Sequence, residues 1–459
     1  MTRMVSWIFF IWISASWPVS LRALDNGVAL TPPMGWLSWA AFGCQTDCSR
    51  YPLSCINEAL YMDMADRLVE DGYLEAGYNL VNIDDCWSEM KRDSNDQLVA
   101  DRTRFPSGIK QLARYVRTQV DSNMHDRNLK LGIYGDFGTE TCARYPGSLY
   151  FLKLDAQTFA SWDVDMLKLD GCNVDVSLMP AEICLERLVA LVEISVVTGY
   201  SEMSRYLNET GRRIIYSCSW PAYEVSLRIK PDYLSVAQSC NMWRNYNDIS
   251  LSWHSILKII DFYDKNEDDL AAASGPGRWN DPDMVKTFSQ HLFYCEHTCA
   301  TLIIGYPGLS IDQARAQMAV WCIWSAPLLM SNDLRFISPY YREILLNKKA
   351  IAVDQDPLGI MGRLIYKSGY VSVYKKPITP VSKTNQHSYA FVFLNRHPTD
   401  RAVVTVEKLE LIGLQNPFGY QVEDVFDNFS YGHLMPSAGF QCDVRPTSAV
   451  MLTAIIAQN

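Results

Sequence analysis

Two charged side chains lie inside the apolar segment VDMLKLDGC, residues 164–172. Lys168 and Asp170 are two residues apart, and side chains alternate between the two faces of a β-strand, so both are expected on the same side of one strand. An ammonium group next to a carboxylate favours the ionised form of that carboxylate. An ionised Asp170 at the end of a buried strand is therefore a candidate nucleophile, for example toward an anomeric carbon.

Further carboxylates follow other apolar segments, with Asp84 and Asp85 in NIDDCW and Asp283 in WNDPDM. Such a group fits a Mg²⁺ or Ca²⁺ site, or a site that binds and hydrolyses glycosides, in which carboxylates accept hydrogen bonds from sugar hydroxyls and two more perform the chemistry. Lys168 favours the glycoside interpretation, because an ammonium group is a poor neighbour for a metal ion.

A glycosidase needs an acid/base on the other side of its cleft, and the loop WRNYNDISLSW (243–253) is the best candidate region. It contains Arg244 and Asp248. Asp248 is equally suited to capping the helix that the following SLSWHSIL predicts, and spacing alone does not separate the two roles.

Short β-rich segments alternate with longer amphipathic ones between residues 30 and 335, which predicts a (β/α)₈ barrel at residues 24–345. The strand candidates are 32–39, 79–87, 129–136, 164–171, 212–220, 233–240, 279–284 and 322–330. After the segment 346–359 the β-rich segments alternate with turn residues and no helices, which predicts a C-terminal antiparallel β-sandwich at residues 346–459. Active sites of such barrels lie at the C-terminal ends of the strands, where several polar or aromatic residues recur: Trp39, Asp84, Asp85, Tyr134, Lys168, Asp170, Ser219 and Asp283.

The first 23 residues have the form of a secretory signal peptide, with Arg3 before an apolar run from Met4 to Trp17. A membrane anchor is the alternative, but the run is shorter than the ~20 apolar residues that span a bilayer. Thirteen cysteines on a secretory route predict disulfides rather than a zinc site, because the seven histidines are scattered. Asn208 and Asn428 lie in glycosylation acceptor motifs.

The net charge is −10 and the sequence pI is about 5.3. This balance argues against nucleic acid or an anionic membrane as partner and fits a neutral substrate such as a carbohydrate.

Residues 30–360 resemble the family 27 glycoside hydrolases, the α-galactosidases and α-N-acetylgalactosaminidases. The matching segments are TPPMGWLSW, NIDDCW, KLGIYGD, DMLKLDGC, YSCSWPAY, WRNYNDI, GRWNDPDM and AVDQDPLG. The resemblance implies the barrel and sandwich that the pattern predicts, and a retaining double displacement without metal or cofactor. The two catalytic carboxyls of a retaining enzyme lie about 5–5.5 Å apart.

The resemblance also implies roles for individual residues. Asp170 matches the nucleophile and Asp248 the acid/base, while Asp84, Asp85 and Lys168 match the residues that hold sugar hydroxyls. The remaining pocket residues that it implies are Trp39, Tyr134, Tyr223, Arg244, Asp283 and Met284. The implied disulfides are Cys44–Cys86, Cys48–Cys55, Cys142–Cys172 and Cys218–Cys240.

One segment discriminates within the family. SCSWPAY has Ser219 and Ala222 where α-galactosidases resemble SCEWPLY. The smaller pair leaves room for an N-acetyl group next to the sugar's C2, with a hydroxyl for the amide and a methyl for the acetyl. We therefore expect an α-N-acetylgalactosaminidase that is lysosomal or secreted, acts on glycolipids, glycopeptides or oligosaccharides, and forms homodimers as the family often does. An α-galactosidase and a catalytically impaired sugar-binding protein are the alternatives.

Three segments depart from the family pattern: 286–301, with Cys295 and Cys299, a stretch near 117–124, and 191–197. The first follows Asp283 and Met284. It is compatible with a disulfide-closed flap over the pocket, with displacement of the seventh barrel helix, or with unspliced sequence.

Overall fold

The structure is a computed structural model, and it describes residues 26–118, 127–180, 199–250, 252–282, 304–305 and 308–457. The predicted signal peptide, the first and third unusual segments, and the positions of Asp283 and Met284 lie outside these residues. Of the second unusual segment only Arg117 and Thr118 are described, at the end of a helix.

The N-terminal part of the described chain contains an eight-stranded parallel sheet. Its strands are β1 (Met34–Leu37), β2 (Leu80–Asn82), β3 (Lys130–Asp136), β4 (Met166–Asp170), β5 (Ile215–Cys218), β6 (Met242–Arg244), β7 (Trp279–Asp281) and β8 (Leu328–Met330). Their order is β7-β6-β5-β4-β3-β2-β1-β8, so strands β1 to β7 pair successively with their neighbours in the chain and β8 pairs with β1. This curled sheet, with helices between successive strands, confirms the predicted barrel.

Twelve α-helices belong to the described residues, and most of them connect one strand to the next. They are α1 (Trp39–Phe42), α2 (Glu58–Glu70), α3 (Tyr73–Ala76), α4 (Ile109–Arg117), α5 (Leu152–Ser161), α6 (Gly199–Glu209), α7 (Trp220–Ser226), α8 (Tyr233–Ser239), α9 (Trp253–Ala273), α10 (Ile311–Trp324), α11 (Pro339–Leu345) and α12 (Lys348–Asp354). Helix α10 lies between β7 and β8 and is almost entirely buried, so the seventh barrel helix is in place. Among the described helices, none has both the length and the apolar character needed to cross a bilayer.

The prediction of a strand at 233–240 is wrong, because this segment forms α8. The Asp232 side chain caps the helix by accepting hydrogen bonds from the backbone N–H groups of Leu234 and Ser235. Tyr233, Val236 and Ala237 are buried at helical spacing, which the β-rich composition of the segment concealed. The sixth strand is the shorter segment that follows, β6.

The strand predicted at 322–330 begins later than expected. Its first three residues, Cys322–Trp324, are the last turn of α10, and Ser325 ends that helix in the left-handed conformation with φ 55°. Only Leu328–Met330 joins the sheet.

The C-terminal part consists of antiparallel strands in two sheets, as predicted. Its strands are β9 (Arg363–Ser368), β10 (Val371–Val381), β11 (His387–Asn395), β12 (Ala402–Val406), β13 (Tyr420–Asp424), β14 (Ser430–Leu434), β15 (Phe440–Val444) and β16 (Ser448–Ile456). A six-stranded sheet runs β14-β13-β16-β11-β10-β9, and β12 pairs with β15. Phe391 and Phe393 of the larger sheet share a buried core with Val406 and Val444 of the smaller one, which makes the unit a sandwich.

Candidate active site

Asp170 is the last residue of β4 and is buried at the C-terminal end of the sheet. The hydroxyl of Tyr223 donates to Oδ1 at 2.7 Å, and the hydroxyl of Tyr134 donates to Oδ2 at 3.1 Å. The N–H of Gly171 also donates to Oδ1. The pKa values of Tyr134 and Tyr223 are raised well above the ordinary value, mainly by burial and secondly by the charge of the nearby Asp170 carboxylate. Both phenols therefore remain protonated and act as donors. These donors fix the orientation of the carboxylate and favour its ionised form.

Lys168 lies two residues before Asp170 on the same buried face, as the alternation predicts. Its ammonium group forms an ion pair with Asp84 Oδ2 at 2.7 Å, and it lies 5.0 Å from the centre of the Tyr134 ring. Both charged partners are almost completely buried, so the pair is protected from solvent screening.

Asp85 lies beside Asp84 in the loop that follows β2. Its carboxylate accepts hydrogen bonds from the backbone N–H groups of Cys86 at 2.6 Å and Ala143 at 3.0 Å. Burial outweighs these contacts and raises the pKa of Asp85 to about 6. Because Lys168 occupies the position beside Asp84 where a cation would bind, this pair of carboxylates fits hydroxyl binding better than metal binding.

Asp248 lies in the loop after β6, and its Oδ1 forms an ion pair with Arg244 at 2.8 Å. Only 10% of the Arg244 side chain and 6% of the Asp248 side chain are exposed. The alternative role of Asp248 as a helix cap is not adopted, because Ser252 caps α9 by accepting from the N–H of Ser255. Asp248 therefore belongs to the same end of the sheet as Arg244.

Tyr223 connects the two candidate carboxylates. Its hydroxyl binds Asp170, and its ring centre lies 5.7 Å from the Arg244 guanidinium that holds Asp248. The structure thus connects Asp170 and Asp248 through two intervening side chains, Tyr223 and Arg244.

Ser219 and Ala222 stand at the start of α7, directly after β5, and both are buried. Ser219 lines an internal cavity together with Lys168, Arg244 and Asp281. Trp39 begins α1 and packs against the apolar cluster that fills the inside of the sheet.

Four disulfides are present among the described residues: Cys44–Cys86, Cys48–Cys55, Cys142–Cys172 and Cys218–Cys240. They are the pairs that the resemblance implies. The third lies against the site, with Cys142 Sγ 3.5 Å from Asp170 Oδ2 and Cys172 Sγ 3.2 Å from the Tyr223 hydroxyl. Asp136, Cys142 and Cys172 have a spacing compatible with a metal site, but both sulfurs are bonded to each other and so are not thiolate ligands.

The sequence pattern of the family described as alpha galactosidase A matches residues 31–356, more than half of the chain. The chain belongs to this family of glycoside hydrolases, family 27. The α-N-acetylgalactosaminidase of Gallus gallus is 45% identical over 430 residues, which cover 93% of this chain and 94% of the relative. The α-galactosidase A of Homo sapiens is 44% identical over 382 residues, 83% of this chain and 78% of the relative. The structure of α-galactosidase I from Mortierella vinacea shares the fold with a TM-score of 0.72 at 24% identity, covering 94% of this chain and 99% of that one.

The structure adds residues to this family 27 site that the sequence reasoning did not name. Asp136, at the end of β3, is completely buried beside Asp170. The hydroxyl of Tyr200 donates to the backbone carbonyl of Asp170 at 2.8 Å. Asp281, the first acidic residue of WNDPDM, lines the cavity. Asp136 follows Tyr134 by two residues, the same alternation that links Lys168 and Asp170, so the sequence contained the signal for it.

Proposed function

We propose that the chain is a retaining exo-glycosidase that removes terminal α-linked N-acetylgalactosamine from glycolipids, glycopeptides or oligosaccharides. The observation that carries the substrate assignment is the pair of small residues, Ser219 and Ala222, at the buried start of α7. The α-N-acetylgalactosaminidases of Gallus gallus and Homo sapiens, at 45% and 42% identity, support the same assignment.

The proposed reaction has two displacement steps. In the first, Asp248 protonates the glycosidic oxygen while the Asp170 carboxylate attacks C1, so the bond to the aglycone breaks and a covalent glycosyl-enzyme forms. In the second, Asp248 takes a proton from water, the water oxygen attacks C1, and Asp170 leaves as a carboxylate. Inversion occurs at each step, so the α-configuration is retained.

Recognition of the sugar is assigned to the buried polar residues around this pair. Asp84, Asp85 and Lys168 are proposed to hold hydroxyl groups, because carboxylates accept from them and an ammonium group donates to them. Trp39, Tyr134, Tyr223 and Arg244 are proposed to line the rest of the pocket. Asp283 and Met284, which lie outside the described residues, complete the proposed set.

A side-by-side assay tests the substrate assignment. Purified protein is given the chromogenic α-N-acetylgalactosaminide and the chromogenic α-galactoside at acidic and at neutral pH. We expect faster turnover of the first substrate with residual turnover of the second, because a roomy pocket discriminates against a smaller group by only about 1–3 kcal/mol. Faster turnover of the α-galactoside contradicts the assignment.

An α-galactosidase is the second candidate, and the 44% identity to α-galactosidase A of Homo sapiens favours it. A sugar-binding protein with impaired catalysis is the third, and it predicts binding of the free sugars without turnover of either glycoside. Carbohydrate is the proposed partner in all three cases.

We further propose that the chain follows the secretory route to the lysosome or the exterior as a glycosylated homodimer. Residues 1–23 would be its signal peptide, 24–345 its barrel and 346–459 its C-terminal region, in which α12 precedes the strands of the sandwich. Four disulfides fit an oxidising compartment, and Asn208 and Asn428 are both exposed, as glycosylation requires. Glycosidase digestion of the secreted protein and sedimentation analysis test the glycans and the dimer.

A further inference from the structure

Asp136 is a buried carboxyl group to which the proposed reaction gives no role. It is the last residue of β3 and pairs in register with Asp170 on β4. None of its surface is exposed. Its Oδ1 accepts from the N–H of Gly138 at 2.7 Å, and its Oδ2 accepts from the N–H of Cys172 at 3.0 Å.

The hydroxyl of Tyr134 lies between the two carboxyl groups. Its oxygen is 3.1 Å from Asp170 Oδ2 and 3.4 Å from Asp136 Oδ2. A phenol has one proton and can donate to only one of these oxygens at a time. If both carboxyls were ionised, they would compete for that proton and repel each other in a region shielded from water.

One additional proton removes both conflicts. With a proton on Asp136 Oδ2, the Asp136 hydroxyl donates to the Tyr134 oxygen, and the Tyr134 hydroxyl then donates to Asp170 Oδ2. Each carboxyl group also accepts two further hydrogen bonds, from Tyr223 and Gly171 at Asp170 and from Gly138 and Cys172 at Asp136. The negative charge is assigned to Asp170, because the Tyr134 oxygen lies nearer to Asp170, at 3.1 Å, than to Asp136, at 3.4 Å.

The other titratable groups that face Asp136 are consistent with a proton on Asp136 and a negative charge on Asp170. They are Asp170 on β4, Asp85 in the loop after β2, Tyr134 on β3, Tyr200 on α6 and Tyr223 on α7. Burial, followed by the charge of Asp170, raises the pKa of Asp136 well above its ordinary value. The three phenols have raised pKa values for the same first reason and stay neutral.

We propose that Asp136 is a positioning residue which, as a neutral carboxylic acid, donates to Tyr134 and so holds the Tyr134 hydroxyl on the nucleophilic carboxylate of Asp170. The proposal rests on the proposed function in taking Asp170 as the nucleophile. Asp136 itself touches no substrate in this scheme and acts through Tyr134.

A double-mutant cycle tests the proposal on the full-length protein with the chromogenic α-N-acetylgalactosaminide. The variants are Asp136→Ala, Tyr134→Phe and the two combined. Loss of a hydrogen bond to a charged group costs about 1.5–3 kcal/mol, so we expect each single variant to lose roughly 10- to 100-fold in kcat. Because Asp136 acts through Tyr134, the combined variant is expected to lose no more than about 2-fold beyond Tyr134→Phe.

The variant Asp136→Asn distinguishes a positioning role of Asp136 from a merely structural one. The amide is always neutral and can donate to Tyr134, so we expect it to restore most of the kcat that Asp136→Ala loses. The alkaline limb of its kcat profile should shift to higher pH, because the variant has no proton to lose at this position. Thr139→Ala, an exposed change in the same loop, is the matched control and is expected to leave the kinetics unchanged.

Two outcomes overturn the inference alone. In the first, the losses in kcat multiply in the combined variant. In the second, Asp136→Asn melts like the wild type but is as slow as Asp136→Ala. A wild-type protein that hydrolyses neither α-glycoside overturns the proposed function and the inference with it. The two failures are therefore distinguishable.

Discussion

At the scale of single residues, the site is built from groups whose protonation is set by burial. Asp170 accepts three hydrogen bonds, two of them from tyrosine hydroxyls, whereas burial raises the pKa values of Asp85 and Asp136. Neighbouring carboxyls of the same chemical type thus differ in charge at the same pH, which is how one site can contain both acids and bases.

Replacing the proposed nucleophile gives a direct prediction. Asp170→Asn is expected to lower kcat by about 10³-fold or more, because the amide cannot form the covalent intermediate. The fold should persist, since the amide keeps the shape of the side chain, and thermal melting checks this. Asp175→Glu, an exposed change five residues later that keeps the charge, is the control and should remain active. An Asp170→Asn enzyme with near wild-type turnover would place the nucleophile elsewhere.

The raised pKa of Asp85 predicts that the stability of the folded protein depends on pH. The pKa of Asp85 is about 6 in the folded chain, against an ordinary value of 3.8 that represents the unfolded chain. The folded state therefore binds this proton more tightly, and the resulting stabilisation is fully present below about pH 4 and lost as the pH rises through about 6, at about 3 kcal/mol in total. Urea unfolding at several pH values should show wild-type stability falling more steeply between pH 4 and pH 7 than that of Asp85→Asn. Equal slopes would contradict the prediction.

At the scale of elements, substrate preference is assigned to the first turn of α7. The turn follows β5 directly, so Ser219 lines the cavity from a rigid strand–helix junction, Ala222 is buried one turn later, and Tyr223 binds Asp170. Preference and nucleophile orientation therefore depend on one short element.

Enlarging these two residues should reverse the preference. The double variant Ser219→Glu, Ala222→Leu fills the space proposed for the N-acetyl group, so we expect at least a 100-fold loss of kcat/KM on the α-N-acetylgalactosaminide. Turnover of the α-galactoside should stay within about 10-fold of the wild type, because a bare hydroxyl still fits. Parallel loss on both substrates, in a protein that melts normally, would instead show that the change had disturbed Tyr223.

At the scale of the whole molecule, a buried lysine of the sandwich forms hydrogen bonds with the barrel. Lys376 of β10 is completely buried and donates to the Ser325 hydroxyl at 2.6 Å and to the backbone carbonyls of Cys322 and Val353. These carbonyls end α10 and α12, whose C-terminal partial charges favour a cation. Asp354 is also buried close by, and burial raises its pKa to about 8 while lowering that of Lys376 to about 8.

Removing this lysine should cost stability without touching the site. Lys376→Ala leaves two helix ends without their buried donor and Asp354 without the nearby cation, so we expect the free energy of unfolding to fall by about 3–5 kcal/mol. Urea unfolding measures the change, with the exposed Lys383→Ala as matched control within about 0.5 kcal/mol of the wild type. A Lys376→Ala protein as stable as this control would show that the contact contributes nothing.

Local patterns in the sequence predicted much of this architecture. Alternating side chains placed Lys168 and Asp170 on one face, and apolar runs located the first five strands, because both are properties of neighbouring residues. The segment 233–240 failed because β-rich composition competed with a helix cap at Asp232. The role of Asp248 needed the folded chain, since the spacing is equally consistent with Asp248 as the acid/base and with Asp248 as the cap of the following helix. The structure has an ion pair between Asp248 and Arg244 and a cap at Ser252. Asp136 was missed although the alternation marked it, because its importance appears only when β3 and β4 pair.

The covalent link between Cys142 and Cys172 joins the connections that leave β3 and β4, on either side of Asp170. A chain synthesised in a reducing cytoplasm would carry two thiols at this position, with neither connection tethered to the other. Bacterial cytosolic expression should therefore yield a protein whose specific activity rises on oxidative refolding, and enzyme produced through an export pathway should need no such treatment.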